Sequence, residues 1–265
     1  MAYSYDIDSN GTYFYAGEDY IKSIAIKESV KHVIIEKGIT YIADKAFANM
    51  PNLETITWNT SVRSIGNEAF KNSGIKEVII PDSVTSIGEQ AFSFCPNLVT
   101  VKIGNNIKDI PTYAFSACHD LHNLTLGNKV ETIGYRAFSC IGLSASDGSK
   151  QKGALQKVVI PPSVRRIDQQ AFGNNIISEV IILSSNITLQ GTPPNFGRYN
   201  SSYDTRVFCQ NGKGMKVKAA NLNCFDVTNF NKDTKIEGMS AAEYNSYSQL
   251  FTNKKVFTNI PIFVD

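Results

Sequence analysis

Alanine-phenylalanine pairs recur along this 265-residue chain at a near-constant interval, their rings at Phe47, Phe70, Phe92, Phe115, Phe138 and Phe172, spaced by 23, 22, 23, 23 and 34 residues. Five residues ahead of each ring stands an isoleucine (Ile42, Ile65, Ile87, Ile110, Ile133, Ile167). Eight ahead stands Ile or Val (Ile39, Val62, Val84, Ile107, Val130, Val164). A second apolar block follows each pair: Leu53-Ile56-Trp58, Ile75-Val78-Ile80, Leu98-Val101-Ile103, Leu121-Leu124-Leu126, Leu155-Val158-Ile160 and Ile177-Val180-Ile182. A unit this short cannot bury its own apolar face and must stack on its neighbours, so the period points to a solenoid.

One coil, Asp82 to Ile103, shows the physical pattern. Around Val101 the sequence alternates by two, which turns Val101 and Ile103 inward and Thr100 and Lys102 outward, as in a half-buried strand. Gly104-Asn105-Asn106 turns the chain, as Pro81-Asp82-Ser83 and Pro161-Pro162-Ser163 do elsewhere. Ile107 and Ile110 mark a second short extended piece, and Ala114-Phe115 suits a single 3₁₀ turn. Burial of each Phe contributes about 1.5–3 kcal/mol, and truncating Phe115 is expected to cost about 3–5 kcal/mol once the cavity is included. The Phe ladder is read as structural.

The run Ile80-Pro81-Asp82-Ser83-Val84-Thr85-Ser86-Ile87-Gly88-Glu89-Gln90-Ala91-Phe92-Ser93-Phe94-Cys95-Pro96-Asn97-Leu98 resembles the leucine-rich repeats of the BspA-like bacterial surface proteins. The resemblance covers about residues 20–183 and rests on seven positions recurring in six coils. It implies a curved leucine-rich-repeat solenoid of short parallel β-strands joined by short 3₁₀ or helical turns, in a protein usually exported or displayed at the cell surface. Some members of the family act as adhesins toward host matrix proteins or other cells. Fold does not fix activity, and the resemblance brings no residue-level binding motif.

The ends depart from the repeat. Asn10-Gly11 between alternating apolar residues predicts a β-hairpin, which assigns residues 1–20 to an N-terminal cap shielding the first coil. Residues 21–183 form the repeats, with strand-like blocks at Ile21-Ile24-Ile26 and Val30-Val33-Ile35 ahead of the first Ala-Phe. The long interval before Phe172 holds a polar Gly/Ser-rich insertion at 144–153, either a neutral surface loop or part of a binding face. Residues 184–265 are read as a degenerate repeat and irregular C-terminal cap. Within it, Phe196 and Val207-Phe208-Cys209 suggest a further coil, 214–221 a short helix and 224–227 a strand. A helix is expected from Ser240 to Phe251, opened by a Ser240/Glu243 capping box, and an edge strand over 256–264.

Net charge is +2, with no dense Lys/Arg cluster, which argues against nucleic-acid and anionic-membrane partners. No apolar run reaches membrane-spanning length. The opening Met-Ala-Tyr-Ser-Tyr-Asp lacks the basic and apolar regions of a leader. An extracellular or cell-surface location therefore implies a leader already removed; a native Met1 would instead imply the cytoplasm.

Cys95, Cys118 and Cys140 lie two or three residues beyond their Phe and read as a column of buried thiols; Cys209 and Cys224 are the more plausible disulfide pair. Cys118-His119-Asp120-Leu121-His122 is the one local constellation of metal-ligand types, but its spacing is not that of a closed zinc module. His32 stands alone on an outward position. Glu77 and Glu179 fall in one column of distant coils and make no acid/base pair. Asn10, Asn59, Asn123, Asn186 and Asn200 match the glycan acceptor pattern, relevant only in a eukaryotic secretory route. No Walker loop, nucleophile elbow or dinucleotide fingerprint occurs. No catalytic, cofactor-binding or metal residue is therefore assigned, and no cofactor is expected.

The best functional surface is the outward face of the long sheet. One column reads Ser23, His32, Thr55, Glu77, Thr100, Asn123, Lys157, Glu179; its neighbour reads Ala25, Ile34, Thr57, Ile79, Lys102, Thr125, Val159, Ile181. The outward aliphatics of the second column either mark an interaction site, or reflect strand preference or a covering tail. The expected function is a non-catalytic, adhesin-like module binding a protein or glycoprotein through the columns between residues 77 and 181 and the 144–153 loop. The alternative is a structural scaffold associating with a protein of the same organism or with itself. A hydrolase acting on surface polymers would instead require a cleft lined by paired carboxylates.

Overall fold

The computed structural model describes residues 8–17, 24–140, 153–189, 207, 215–221 and 234–252. The chain winds as a solenoid in which every strand pairs in parallel with its counterpart one coil away. The front ladder comprises Thr12–Tyr15, His32–Ile35 and Thr55–Thr57; then Glu77–Ile79, Thr100–Lys102 and Asn123–Thr125; then Lys157–Ile160, Glu179–Ile182, Lys216–Ala219 and Lys235–Gly238. The back ladder of two-residue strands runs from Tyr41–Ile42 to Thr188–Leu189. Repeat-equivalent residues register on one another, so Val78, Val101 and Leu124 form one inward column, and Ile133 and Ile167 pair directly. The 11-residue surplus before Phe172 leaves the back ladder continuous, with Ile133 paired directly to Ile167, whereas the front ladder is interrupted there: Asn123–Thr125 and Lys157–Ile160 lie in separate hydrogen-bonded sheets.

A third ladder runs through the Ala-Phe segments. The amides of Phe47, Phe70, Phe92, Phe115 and Phe138 donate at 2.7–2.8 Å to the carbonyls of Ala69, Ala91, Ala114, Ala137 and Ala171 in the next coil. The rings stack 5.0, 4.9, 5.1, 5.3 and 5.3 Å apart from Phe47 to Phe172. In place of the 3₁₀ turn expected from the sequence, consecutive tight turns bend the chain, closed by Ala46 N–Ala43 O and Ala48 N–Lys45 O bonds of 3.2 and 3.0 Å. Lys45 and Asn49 have φ of 61° and 59°, which no 3₁₀ helix admits. The same left-handed geometry recurs at Glu68, Asn72, Gln90, Phe94, Tyr113 and Ala117. Glycine is needed where coils touch backbone to backbone: a Cβ on Gly88 would lie 2.4 Å from the Asn67 nitrogen.

Three segments differ from the sequence reading. Ile24–Ser29 is a short helix, α1, and not a strand; Ala25, Lys27 and Glu28 favour helix, and the first rung is filled by Thr12–Tyr15 instead. Its Tyr13 and Tyr15 point inward, and Tyr15 meets Phe47 edge-on at 4.9 Å. Residues 214–221 carry the strand Lys216–Ala219, not a helix, because Met215, Val217 and Ala219 alternate inward at period two. Lys235–Gly238, unmarked by any clear pattern, adds one further strand. The first arm of the expected hairpin, the body of the 144–153 insertion, Phe196, Cys209, Cys224 and the 256–264 strand fall outside the described residues. Val207, at the expected degenerate coil, takes the alanine place, accepting from Phe172 N at 3.1 Å.

The closing helix forms as expected. Helix α2 spans Ala241–Thr252, with Glu243 N donating to Ser240 Oγ at 3.2 Å and Ser240 N to Glu243 Oε2 at 2.8 Å, a complete capping box. Among the described residues no helix is long and apolar enough to cross a membrane.

Two substitutions two positions apart test this architecture. Phe92 is wholly buried between parallel rings, so Phe92→Ala should lower stability by about 3–5 kcal/mol in chemical denaturation. Phe94 is 43% exposed and left-handed at φ 58°, so Phe94→Gly should be neutral or raise stability, by up to about 1 kcal/mol. A mild loss at Phe92, or a large one at Phe94, would contradict the assignment of core and rim.

Candidate functional site

Strand pleating sends alternate side chains of the front ladder outward, and parallel register aligns them into two columns. The heads of these columns are Thr12 and Phe14, not Ser23 and Ala25, because Thr12–Tyr15 is the first rung and Ala25 lies in α1. The first column continues through His32 and Thr55, whose Nδ1 and Oγ1 are 2.8 Å apart, so His32 is bound to its neighbour and does not stand alone. Glu77, Thr100 and Asn123 follow, with Asn123 Nδ2 donating to Thr100 Oγ1 at 3.4 Å. Lys157 and Glu179 form a 2.7 Å ion pair, and Lys216 and Lys235 extend the column. Glu77 and Glu179 lie in separate hydrogen-bonded sheets, and Glu179 is held by Lys157.

The second column divides in two. Phe14 and Ile79 stand 39% and 48% exposed, although both are large and apolar. Ile181, an outward position like Ile79, is wholly buried. Helix α2 covers it: Ile181, Leu183 and Tyr247 form an apolar cluster of their own, joined by Val159, Met239 and Tyr244. Lys218 Nζ meets Glu243 Oε1 at 2.6 Å, and Lys157 Nζ lies 5.6 Å from the Tyr247 ring centre. The Lys218 ammonium first, and then the Ser240 amide and hydroxyl, hold the Glu243 carboxyl down at about 2. The open face is therefore the stretch from Thr12 to Thr125, shorter than the sequence suggests. The 144–153 loop enters the description only at Gly153, whose amide donates to Asn174 O at 3.0 Å.

The remaining candidates resolve into structural roles. Cys95 and Cys118 are buried, and their Sγ atoms donate to Phe70 O and Phe92 O at 3.2 Å; Cys140 is a buried free thiol as well. Burial pushes the Cys118 thiol well up and the Cys140 thiol to about 12, so neither is a nucleophile at neutral pH. Cys118 Sγ points into the core, while His122 is exposed with Nδ1 2.6 Å from Asp120 O, so the local sequence cluster does not converge. Asn59 is spent on the turn, donating to Ile35 O and Glu36 O and accepting from Ser61 N at 2.6 Å. At the back-ladder corner the Tyr41 hydroxyl and then the Asn67 amide hold the Asp44 carboxyl below its usual range, another coil-to-coil clasp. Sequence reasoning missed the rim pair Tyr113–Tyr135, edge-on at 5.3 Å with Arg136 over the Tyr135 ring; Tyr113 and Arg136 are left-handed turn residues, a conformation the repeat pattern does not display.

A sequence-family model described as "BspA type Leucine rich repeat region" matches the chain in six copies, over residues 13–144 and 148–193. No curated protein matches. Among solved structures, a leucine-rich repeat protein of Bacteroides ovatus is similar at 21% identity and TM-score 0.41, over 82% of this chain and 65% of that one. The pneumococcal vaccine antigen PcpA is similar at 15% identity and TM-score 0.40, over 84% and 66%. This chain thus spans just under two thirds of either protein's length.

The Glu243 clasp makes a pH test. A carboxyl whose pKa is depressed by folding contributes stability above its unfolded value near 4.5 and loses it as pH falls through about 2. The side-chain carboxyl resonance of Glu243 should accordingly titrate near 2, and Lys218→Met should move the midpoint upward. A midpoint near 4.5 in the unsubstituted chain would dissolve the proposed anchorage of α2.

Proposed function

Because this chain belongs to the BspA-type leucine-rich repeat family, we propose that it is a non-catalytic binding module of a cell-surface repeat protein, taking a protein or glycoprotein ligand on the open front face. The observation that carries this reading is the placement of Phe14 and Ile79, uncovered, within columns of Thr, His, Glu, Asn and Lys side chains on strands paired in parallel with a neighbouring coil. The exposed part of a large apolar side chain contributes nothing to the fold, and on binding its burial supplies the hydrophobic share of affinity. The polar neighbours on either side provide hydrogen bonds that fix register. The parallel ladders hold every outward side chain in place beforehand, so little ordering entropy is lost on association. Weak single contacts become strong attachment when many copies face a surface.

The inward side chains of the described coils fill the solenoid interior, which supports recognition on an open face over chemistry in a cleft. The cell-surface assignment rests on the family, and the adhesin role is its narrower form.

An array of matrix proteins, glycans and intact cells, probed with the unsubstituted chain beside Ile79→Asp, tests the proposal. The unsubstituted chain should bind at least one class. Ile79→Asp should weaken that binding by about tenfold or more, about 1.4 kcal/mol, at unchanged melting temperature. Equal binding by the two proteins, or none by either, would overturn the reading.

A further inference from the structure

Helix α2 sits on the same outward face that elsewhere stays open, and its seat is built differently from the rest of the molecule. The apolar contact of Ile181, Leu183 and Tyr247, with Val159, Met239 and Tyr244 around it, is separate from the continuous core that contains the Phe ladder. The inward neighbours Val158, Val180 and Ile182 belong to that main core and stay buried whether or not a helix lies outside them. Among the described side chains of α2, only Tyr247 is buried; Ala241, Ala242, Asn245 and Ser246 are exposed. Two sheet cations grip the helix from below, Lys218 on Glu243 and Lys157 on the Tyr247 ring. A helix of 12 residues is marginal in water by itself, so its order depends on this small seat.

We propose that the strip of Val159, Ile181 and Leu183, flanked by Lys157 and Lys218, is a helix-docking site of which α2 is the displaceable intramolecular occupant. Its external partner is an amphipathic helix carrying two aromatic side chains three positions apart and an acidic residue in its first turn. The chemistry of that partner follows from the present occupant. Tyr244 and Tyr247 lie one turn apart on one helix face, which places both rings on the strip. Glu243 brings the negative charge that the Lys218 ammonium meets. By repeat position Val159 and Ile181 fall in the same outward column as Phe14, Ile34 and Ile79, with Lys102 and Thr125 between, so a partner that displaces α2 gains a second apolar stretch on that face. The proposal deepens the recognition reading and depends on it only for the existence of an external partner.

The test uses the full chain, unsubstituted and as Glu243→Gln/Tyr247→Ala. Hydrogen exchange should show α2 amides opening about tenfold or more faster than those of Lys157–Ile160 and Glu179–Ile182, and faster again in the double variant. The melting temperature of the solenoid should not change. A synthetic peptide of residues 239–252, added to the double variant, should shift the methyl resonances of Val159 and Ile181. The same peptide with both tyrosines replaced by alanine serves as control. An α2 that exchanges only together with the solenoid strands, or a peptide no more effective than its control, would overturn the proposal. Neither readout uses an outside ligand, so a failed binding array and a failed helix release remain distinguishable.

Discussion

Everything in this molecule is spaced by one distance, the separation of neighbouring strands in a sheet, about 4.8 Å. The phenyl rings follow it, at 4.9 to 5.3 Å between centroids and with planes within 8° of parallel from Phe70 to Phe172. That separation exceeds the roughly 3.5 Å contact distance of carbon atoms, so parallel rings must slip sideways to touch. An offset stack is also what the ring quadrupole prefers. Backbone hydrogen bonding and aromatic packing therefore demand the same geometry, and neither is strained to satisfy the other. At the first coil the aromatic stack changes character: Tyr15 meets Phe47 edge-on at 67°, so the ladder ends in a closed contact and not in an open ring face.

The turns show what this agreement costs. Bending the chain at each Ala-Phe places non-glycine residues in the left-handed region, at about 1–2 kcal/mol apiece. Asparagine, which tolerates that region, stands there at Asn49, Asn72 and Asn174, and Asn72 Nδ2 donates to Asn49 Oδ1 at 3.0 Å. Phe94 and Ala117 occupy the intervening places in the same column without such compensation. The strain persists because each turn is hydrogen-bonded to the turns above and below, and a solenoid spreads it evenly along its axis.

The legibility of the sequence follows the same logic. Residues that stack on their own equivalents, such as Phe92 on Phe115 or Val78 on Val101, must repeat, so the period displays them. Where a segment packs on something unlike itself, the signal fades. Ile24-Ala25-Ile26 has the spacing of the strand blocks yet folds as helix, because Thr12–Tyr15 already supplies the rung. Lys235–Gly238 pairs by backbone alone, with Ile236 its sole apolar side chain packed on the core, and so carries almost no pattern. The capping box of α2 was readable because it is local, whereas the place where α2 lies is tertiary. The outward aliphatics at Ile79 and Ile181 look identical in sequence and have opposite fates, one open and one covered.

That divergence explains why the front face is functionally uneven. Its charges are mixed along most of their length, but beyond Glu179 positive charge is in excess: Lys216 and Lys235 are direct cross-strand partners, while Lys218 faces Glu237. Like charges opposed in one column repel. The acidic first turn of α2 relieves part of this excess through Glu243. The same helix thereby answers two exposed liabilities of the C-terminal coils, an apolar strip and surplus positive charge. The coils from Thr12 to Thr125 have no such charge surplus, since Glu77 and Lys102 offset one another there. An apolar column can remain open on that stretch without drawing a charged cover onto itself, which is why the uncovered Phe14 and Ile79 belong to it.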